Sequence, residues 1–195
     1  FSYDPAGNRI YKKVTSTGQP ATSTYYIRDA QGNILSTYTL KDDTVRWNEQ
    51  MMYGSARLGL VNMNHITAPL NFTMQTTDTL QYFEGLKNYE LTNHLGNVQV
   101  VLSDKKIGID DNSNTFNDEW ITEQISGQDY YPFGMLMPER SFSYENYGFG
   151  FNNQEKDDEI KGEGNILDFG ERMYDPRLSR FFSVDGLTSH YPWYS

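Results

Sequence analysis

Short apolar or aromatic stretches alternate along this chain with tight polar turns, a pattern that is typical of β-hairpins. The copies are YDPAGNRIYKKV (residues 3–14), YIRDAQGNILSTYTL (26–40) and the more divergent YELTNHLGNVQVVL (89–102). In each copy Asp or Asn can open a turn by accepting backbone hydrogen bonds, and Gly can close it where φ must be positive. Each copy is therefore predicted to be strand, tight turn, strand. The predicted turn residues are Asp4 with Gly7, Asp29 with Gly32, and Asn93 with Gly96.

The spacing of these turns indicates a repeat. Gly7 and Gly32 are 25 residues apart, and Gly32 and Gly96 are 64 apart, about three units of slightly over 20 residues. A period of this size is typical of stacked hairpin-sized units that bury their faces only against one another. A degenerate copy, VRWNEQMMYGSARLGLV (residues 45–61), keeps the strand composition and a Gly-containing turn but lacks the Asp.

The aromatic content strengthens the β prediction. Aromatic residues make up 15% of the chain, with 15 Tyr and 11 Phe. Flat rings pack well on a pleated, half-buried surface, so an all-β fold is the expected class. Four tyrosines recur just before turns, as a structural ladder would require: Tyr3, Tyr26, Tyr89 and Tyr174.

Charge and composition exclude several functions. The formal net charge is −10, which repels a phosphate backbone, so we expect no nucleic-acid binding. The chain has no cysteine, which removes disulfides, thiolate metal sites and cysteine nucleophiles. No apolar run approaches the roughly 20 residues of a membrane span, so no membrane insertion is expected. No cofactor is predicted.

Polar segments interrupt the repeats at residues 62–79, 105–120 and 152–165, and the last could hold one short helical turn. Within the second segment, Asp110, Asn112 and Asn114 alternate as oxygen ligands of Ca²⁺ do. The calcium loop of an EF-hand also needs Gly at position six and Glu at position twelve, where this chain has Thr115 and Ile121. We therefore predict a solvated loop and no metal site.

The motifs resemble a known family. Tyr-Asp-x-x-Gly-Asn resembles the YD repeat, and NHLGNVQVVLSD is similar to a related DHLGS repeat. The block DYYPFGMLMPERSF, followed by the run from Tyr147 to Asp185, closely resembles the RHS repeat-associated core domain. The segment EKDDEIKGEGN is similar to the corresponding segment of family members from bacteria with type IX secretion. Together the resemblance covers roughly residues 3–185.

The resemblance implies a sheet of hairpins that spirals into a hollow shell around a variable C-terminal segment, often a toxin. It implies YD/RHS repeats at 1–104, a polar insertion at 105–128, and the RHS core at 129–195. The core motif comprises Tyr174, Asp175, Pro176, Arg177, Arg180 and Phe181. The chain departs from the family where Ser179 replaces a glycine and Gly186 replaces a proline. The self-cleaving Asp-Pro-x-Gly-Leu motif of the family is not present in these residues.

Catalytic chemistry has little support in the sequence. His65, His94 and His190 are scattered, and no catalytic residue is predicted. The aromatic runs YYPFG (130–134) and YPWY (191–194) could stack on sugars, although packing within the sheet is the preferred interpretation. Three arginines lie close to acidic residues and are expected to form local ion pairs. These are Arg172, Arg177 and Arg180, near Asp168, Glu171 and Asp175.

We therefore expect a non-catalytic fragment of an exported RHS-repeat protein, secreted or at the cell surface. Its expected partners are neighbouring repeats, its own C-terminal effector segment and the type IX secretion machinery. Because Phe1 falls inside a repeat, a preceding repeat is expected to pair with the N-terminal edge. Two alternatives stay open: a surface adhesin or carbohydrate-binding module, and a protease-like enzyme whose aspartates lie beyond Ser195.

Overall fold

The computed structural model describes residues 1–63, 83–144 and 147–184, and its regular structure is almost entirely antiparallel β-sheet. The prediction of an all-β fold is confirmed. A ten-stranded sheet has the order β1 to β10, and a four-stranded sheet has the order β11 to β14. The strands are β1 Ser2–Tyr3, β2 Arg9–Val14, β3 Thr22–Arg28, β4 Ile34–Lys41, β5 Thr44–Tyr53, β6 Arg57–Asn62, β7 Lys87–Thr92, β8 Val98–Ile109, β9 Glu119–Tyr130, β10 Leu136–Ser143, β11 Glu155–Lys156, β12 Leu167–Asp168, β13 Met173–Asp175 and β14 Arg180–Phe181.

Strand order follows chain order in both sheets, so each strand pairs with its neighbours in sequence. This is the arrangement that tight hairpin turns produce between antiparallel strands. The degenerate copy at residues 45–61 forms the hairpin β5–β6, as its composition predicts. Its turn is closed by the Gly54 N–H, which donates to the Ala56 carbonyl at 2.9 Å.

Contacts divide the chain into two compact units. The first comprises Phe1–Leu91 and Val101–Ile125. Its strands alternate: the Tyr26 side chain is buried, whereas its neighbours Tyr25 and Ile27 on the opposite face are more than two-fifths exposed. The buried face is completed by the apolar side chains of Ile34, Met51, Leu60, Met63, Leu86 and Val101.

Polar groups are buried in the first unit as well. The Arg57 guanidinium donates to Glu90 Oε1 from Nη2 at 2.8 Å and from Nε at 3.0 Å. Burial raises the pKa of Glu49, whose carboxylate accepts a 3.1 Å hydrogen bond from the Thr37 hydroxyl. Such groups are tolerated inside a protein because hydrogen bonds and opposite charge offset their lost hydration.

A row of aromatic residues crosses four strands of the first unit. Tyr11, Tyr25, Tyr38 and Trp47 are successive Cα partners on β2, β3, β4 and β5. The Tyr11 and Tyr25 ring centroids are 5.2 Å apart, and those of Tyr38 and Trp47 are 6.0 Å apart. Cross-strand aromatic pairs of this kind each stabilise a sheet by roughly 0.2–1 kcal/mol.

The second unit comprises Thr92–Val100 and Ser126–Ser195, and it is described at residues 92–100, 126–144 and 147–184. Its core contains Val98, Phe149, Ile166, Leu167 and Tyr174, all buried. Between β11 and β12 lies α1, Asp158–Lys161, which confirms the short helical turn predicted within residues 152–165. A 3₁₀ turn occupies Phe151–Asn153. Within the described residues, no helix is long and apolar enough to cross a lipid bilayer.

Residues 105–128, expected to be a polar insertion, contain the end of β8, a loop at 110–118 and most of β9. The two strands are neighbours in the sheet, and the Asp118 N–H donates to the Ile109 carbonyl at 2.7 Å. Polar residues predominate here because much of the hairpin is exposed. A strand that is exposed to solvent on both faces lacks the alternation of apolar and polar residues by which strands are recognised in a sequence. Of the loop expected at 62–79, all but 62 and 63 lie outside the described residues.

Candidate functional site

The three predicted turns share one geometry. Asp4 Oδ1 accepts from the N–H groups of Ala6 and Asn8 at 2.9 and 2.8 Å. Asp29 Oδ1 accepts from Gln31 and Asn33 at the same distances, and Asn93 Oδ1 accepts from Leu95 and Asn97 at 2.9 and 3.0 Å. In each turn the glycine N–H donates to the carbonyl of the opening residue, and its φ is positive: 83° at Gly7, 89° at Gly32 and 82° at Gly96.

The turn carboxylates are held in their ionised form. Hydrogen bonds from Asn8, the backbone N–H first and then the side chain, lower the pKa of Asp4. The side-chain hydrogen bond from Asn33 is the main cause that lowers the pKa of Asp29. A carboxylate whose oxygens already accept backbone N–H groups is a weak general base. These aspartates therefore stabilise turns and are poorly suited to proton transfer.

A fourth turn, at residues 131–135, repeats the backbone geometry without an Asp or Asn. The Tyr131 N–H donates to the Met135 carbonyl, and the Gly134 N–H donates to the Tyr131 carbonyl, both at 2.8 Å. Gly134 has a φ of 90°. This turn lies in the aromatic run considered for sugar stacking, and it places Tyr131 and Phe133 in exposed positions. The sequence analysis missed it because the turn has no side-chain acceptor at its first position.

Adjacent turns contact one another in the first unit. Arg28 Nη1 donates to the Gly32 carbonyl at 2.6 Å, and Arg28 Nε donates to the Arg9 carbonyl at 2.8 Å. Asn8 packs against Gly32, where a Cβ would lie 2.9 Å from Asn8 Oδ1. The first two repeats are therefore joined at their turns as well as along their strands.

The C-terminal core motif is centred on a buried carboxylate. Asp175 is fully buried and accepts from Arg177 Nε at 3.1 Å and Nη2 at 2.8 Å, and Lys161 Nζ lies 3.3 Å from its Oδ2. The Arg177 side chain is the main cause that holds the pKa of Asp175 at about 2. Arg177 lies in the turn between β13 and β14 and Lys161 lies at the end of α1, so the network fixes that turn and ties it to α1.

The other motif residues pack around this turn. The rings of Phe169, Tyr174 and Phe181 form a cluster with centroids 5.2–5.5 Å apart, and the Arg172 guanidinium lies 4.1 Å from the Phe181 centroid. Pro176 is buried, whereas Arg180 is exposed. Arg180 on β14 lies opposite Asp175 on β13 in the strand register. Ser179 has a φ of 55°, the conformation for which the glycine of the family is suited.

The loop at 110–118 uses its oxygens to bind its own backbone. Asp110 accepts from the N–H groups of Asn112, Asn114 and Thr115, and Asn114 Oδ1 accepts from the Phe116 N–H at 2.9 Å. Desolvation opposes ionisation of Asp110, but these N–H donors outweigh it and lower its pKa. Within the part of the chain that the structure describes, no three His, Cys, Asp or Glu side chains are grouped as metal ligands.

The remaining predicted sites are dispersed or not described. His94 is an exposed turn residue. His65, His190, Gly186 and the YPWY run at 191–194 lie outside the described residues. The sequence analysis missed the Arg57–Glu90 pair and the Lys161–Asp175 contact. Their partners are 33 and 14 residues apart, and no local motif links them.

Comparison with known proteins gives distant similarity over nearly the whole chain. No family model matches. "Salivary gland surface protein 1" of Aedes aegypti is 24% identical over 193 residues, which is 97% of this chain but 5% of that protein. Among solved structures, the Tc holotoxin pore of Photorhabdus luminescens aligns with a TM-score of 0.43 at 15% identity. The complex of TcdB2–TccC3 with Cdc42 aligns with a TM-score of 0.45 at 12% identity. The chain covers 9% of each of those two chains.

Proposed function

We propose that this chain forms a section of the wall of an exported RHS-repeat protein and has no catalytic activity of its own. The observation that carries this proposal is the shared geometry of the turns at Asp4, Asp29 and Asn93 in hairpins that follow one another through a single sheet. A wall built in this way extends by adding hairpins. Each added hairpin satisfies the open edge of the one before it.

The wall is proposed to enclose or present a variable C-terminal effector segment. Support comes from the resemblance of residues 129–184 to the RHS core and from the network that Asp175 forms with Arg177 and Lys161. The Asp175 carboxylate is buried while its two cations are partly exposed, and such a network resists local opening because a buried carboxylate without its cations would be costly. The RHS-like segment, which would lie closest to the effector, is thus stabilised by this network in addition to the hydrogen bonds between its strands.

Secretion or display at the cell surface is part of the proposal, with type IX secretion as the suggested route. The relative named as a salivary gland surface protein is in keeping with an extracellular location. The absence of catalysis is also proposed. The lowered pKa of Asp4 and Asp29 supports it, since these carboxylates give up their protons readily and bind them weakly.

The test of containment uses the longer protein that includes this chain and its C-terminal extension. Limited proteolysis followed by mass spectrometry should leave the extension intact inside the longer protein and degrade it when it is produced alone. A Gly96→Val variant, which cannot adopt the turn without strain, serves as the opened control. Equal digestion of the extension in both settings would overturn containment.

A gel of the same longer protein tests the proposed lack of catalysis. A single band that persists on incubation is expected if the chain is purely structural. Two bands that depend on residues within 1–195 would overturn that part of the proposal.

A further inference from the structure

An exposed apolar surface lies at the end of the β8–β9 hairpin, here called the hairpin tip and defined as residues 107–121. Phe116 is 74% exposed and Trp120 is 61% exposed. Ile107 and Ile121 are also exposed, one on each strand. Trp120 and Ile121 are consecutive on β9 and therefore lie on opposite faces, so the hairpin tip presents an apolar side chain on each face as well as Phe116 at its end. Exposed aromatic side chains at the end of a long hairpin are characteristic of interaction sites.

Side chains of the hairpin tip accept hydrogen bonds from its own backbone. Asp110 binds the start of the loop as described above, and Asn114 Oδ1 holds the Phe116 N–H. On the other side, Asp118 accepts from the Asp111 N–H at 2.9 Å and from Asn112 Nδ2 at 3.0 Å. Phe116 is therefore presented from an ordered loop, so a partner would lose little entropy in ordering it.

The hairpin tip also has a defined charge. No Lys or Arg occurs between Lys106 and Arg140, and the tip carries Asp110, Asp111, Asp118 and Glu119. The N–H and amide donors of the loop occupy the carboxylates of Asp110 and Asp118. Both Asp111 and Glu119 are exposed, and within the described residues no hydrogen bond or ion pair engages either carboxylate. They are available to cations on a partner.

We infer that the hairpin tip is a docking surface for a peptide segment of another protein in which apolar side chains are flanked by Lys or Arg. Phe116 and Trp120 would supply the buried contacts, and Asp111 and Glu119 would pair with the flanking cations. Charge complementarity selects this occupant over a second copy of the chain, because two acidic tips on chains of net charge −10 repel each other. The inference is independent of the proposed wall function, since it requires only the folded hairpin.

The experiment is a selection of phage-displayed random peptides on the folded 195-residue chain. The enriched peptides should combine apolar residues with Lys or Arg. A synthetic peptide of the consensus sequence is then titrated by fluorescence anisotropy. Phe116→Ala should weaken its binding about tenfold or more, the size expected for a central aromatic contact. The double variant Asp111→Asn/Glu119→Gln should weaken binding and flatten its dependence on salt.

Leu91→Ala is the matched control, because Leu91 is an apolar side chain of the first unit that is 51% exposed and lies outside the hairpin tip. It should bind the peptide as the wild type does, and circular dichroism should show that all variants are folded. The inference is overturned if no peptide is enriched, if the enriched peptides are acidic or uncharged, or if Phe116→Ala and Leu91→Ala have equal effects.

Discussion

At the scale of single residues, several acidic and amide side chains at the turns of this protein bind backbone. Asp4, Asp29, Asn93 and Asp110 each accept at least two main-chain N–H groups, which would otherwise be left to water. Asp175 holds its segment in a related way, by binding the cationic side chains of Arg177 and Lys161. The conformations of these turns are therefore encoded by a few side chains, and single substitutions should report on them.

Replacing Ser179 with Gly should stabilise the protein. Ser179 has a φ of 55°, a conformation that costs a residue with a Cβ roughly 1–2 kcal/mol, part of which is offset by the greater flexibility of unfolded glycine. We expect a gain of about 0.5–1 kcal/mol in the free energy of unfolding, measured by urea denaturation. Ser16→Gly is the control, because Ser16 is exposed and is not among the residues with positive φ, and it should not stabilise. Loss of stability in Ser179→Gly would contradict the strain argument.

Replacing Asp175 with Asn should destabilise the protein at neutral pH and have less effect in acid. The folded pKa of Asp175, about 2, lies below its ordinary value of 3.8 because Arg177 and Lys161 favour the ionised form. Its stabilising contribution is therefore complete above about pH 4 and is lost as the pH falls towards 2. We expect Asp175→Asn to lose about 1–3 kcal/mol at pH 7, by urea denaturation, and to approach the wild type near pH 2.

Asp43→Asn provides the comparison for this pH series, since Asp43 is exposed and in a left-handed conformation that Asn also adopts readily. Its stability should match the wild type throughout. A difference between Asp175→Asn and the wild type that stays constant from pH 7 to pH 2 would show that ionisation of Asp175 contributes nothing.

At the scale of elements, the repeated unit is a hairpin whose turn also contacts the next turn. Arg28 binds carbonyls of two adjacent repeats, and Asn8 of the first repeat rests on Gly32 of the second. A turn in this protein is consequently restrained in two ways, by the φ of its glycine and by the side chain of its neighbour. The two restraints can be separated by mutation.

Gly32→Ala should cost more stability than Gly96→Ala. Both glycines have φ near 85°, so each substitution costs roughly 1–2 kcal/mol from strain. A Cβ on Gly96 would meet no atom within 4 Å, whereas one on Gly32 would press on Asn8. We expect an additional cost of up to about 1 kcal/mol for Gly32→Ala, because the amide end of Asn8 can move only partly aside. Urea denaturation of both variants measures the difference.

A double-mutant cycle isolates the contact between the turns. In the Asn8→Ala background, Gly32→Ala should cost no more than Gly96→Ala does in the wild type, because the obstructing side chain is gone. Equal costs for the two glycine variants in the wild type, with no coupling to Asn8, would mean that the first two turns do not restrain each other.

At the scale of the whole molecule, the sequence allows prediction of those features that are decided locally. The all-β class and the hairpin at residues 45–61 follow from aromatic content and turn chemistry, because a turn is specified within about five residues. The Arg57–Glu90 pair depends on which strands are neighbours, which no short segment records. The extension of β8 beyond residue 102 and the first half of β9 were also beyond prediction, since exposure on both faces removes the alternation that marks a strand.

The turn at residues 131–135 has a consequence for how repeats are counted in sequences of this kind. It makes the same two main-chain hydrogen bonds as the turns at Asp4, Asp29 and Asn93, yet its first residue is Tyr131. Glycine in a left-handed conformation is common to all four, and the acidic residue is dispensable. A census of repeats keyed to Tyr-Asp pairs will thus undercount the hairpins in a long sequence. A census keyed to the glycine and the strand that follows it will recover divergent copies.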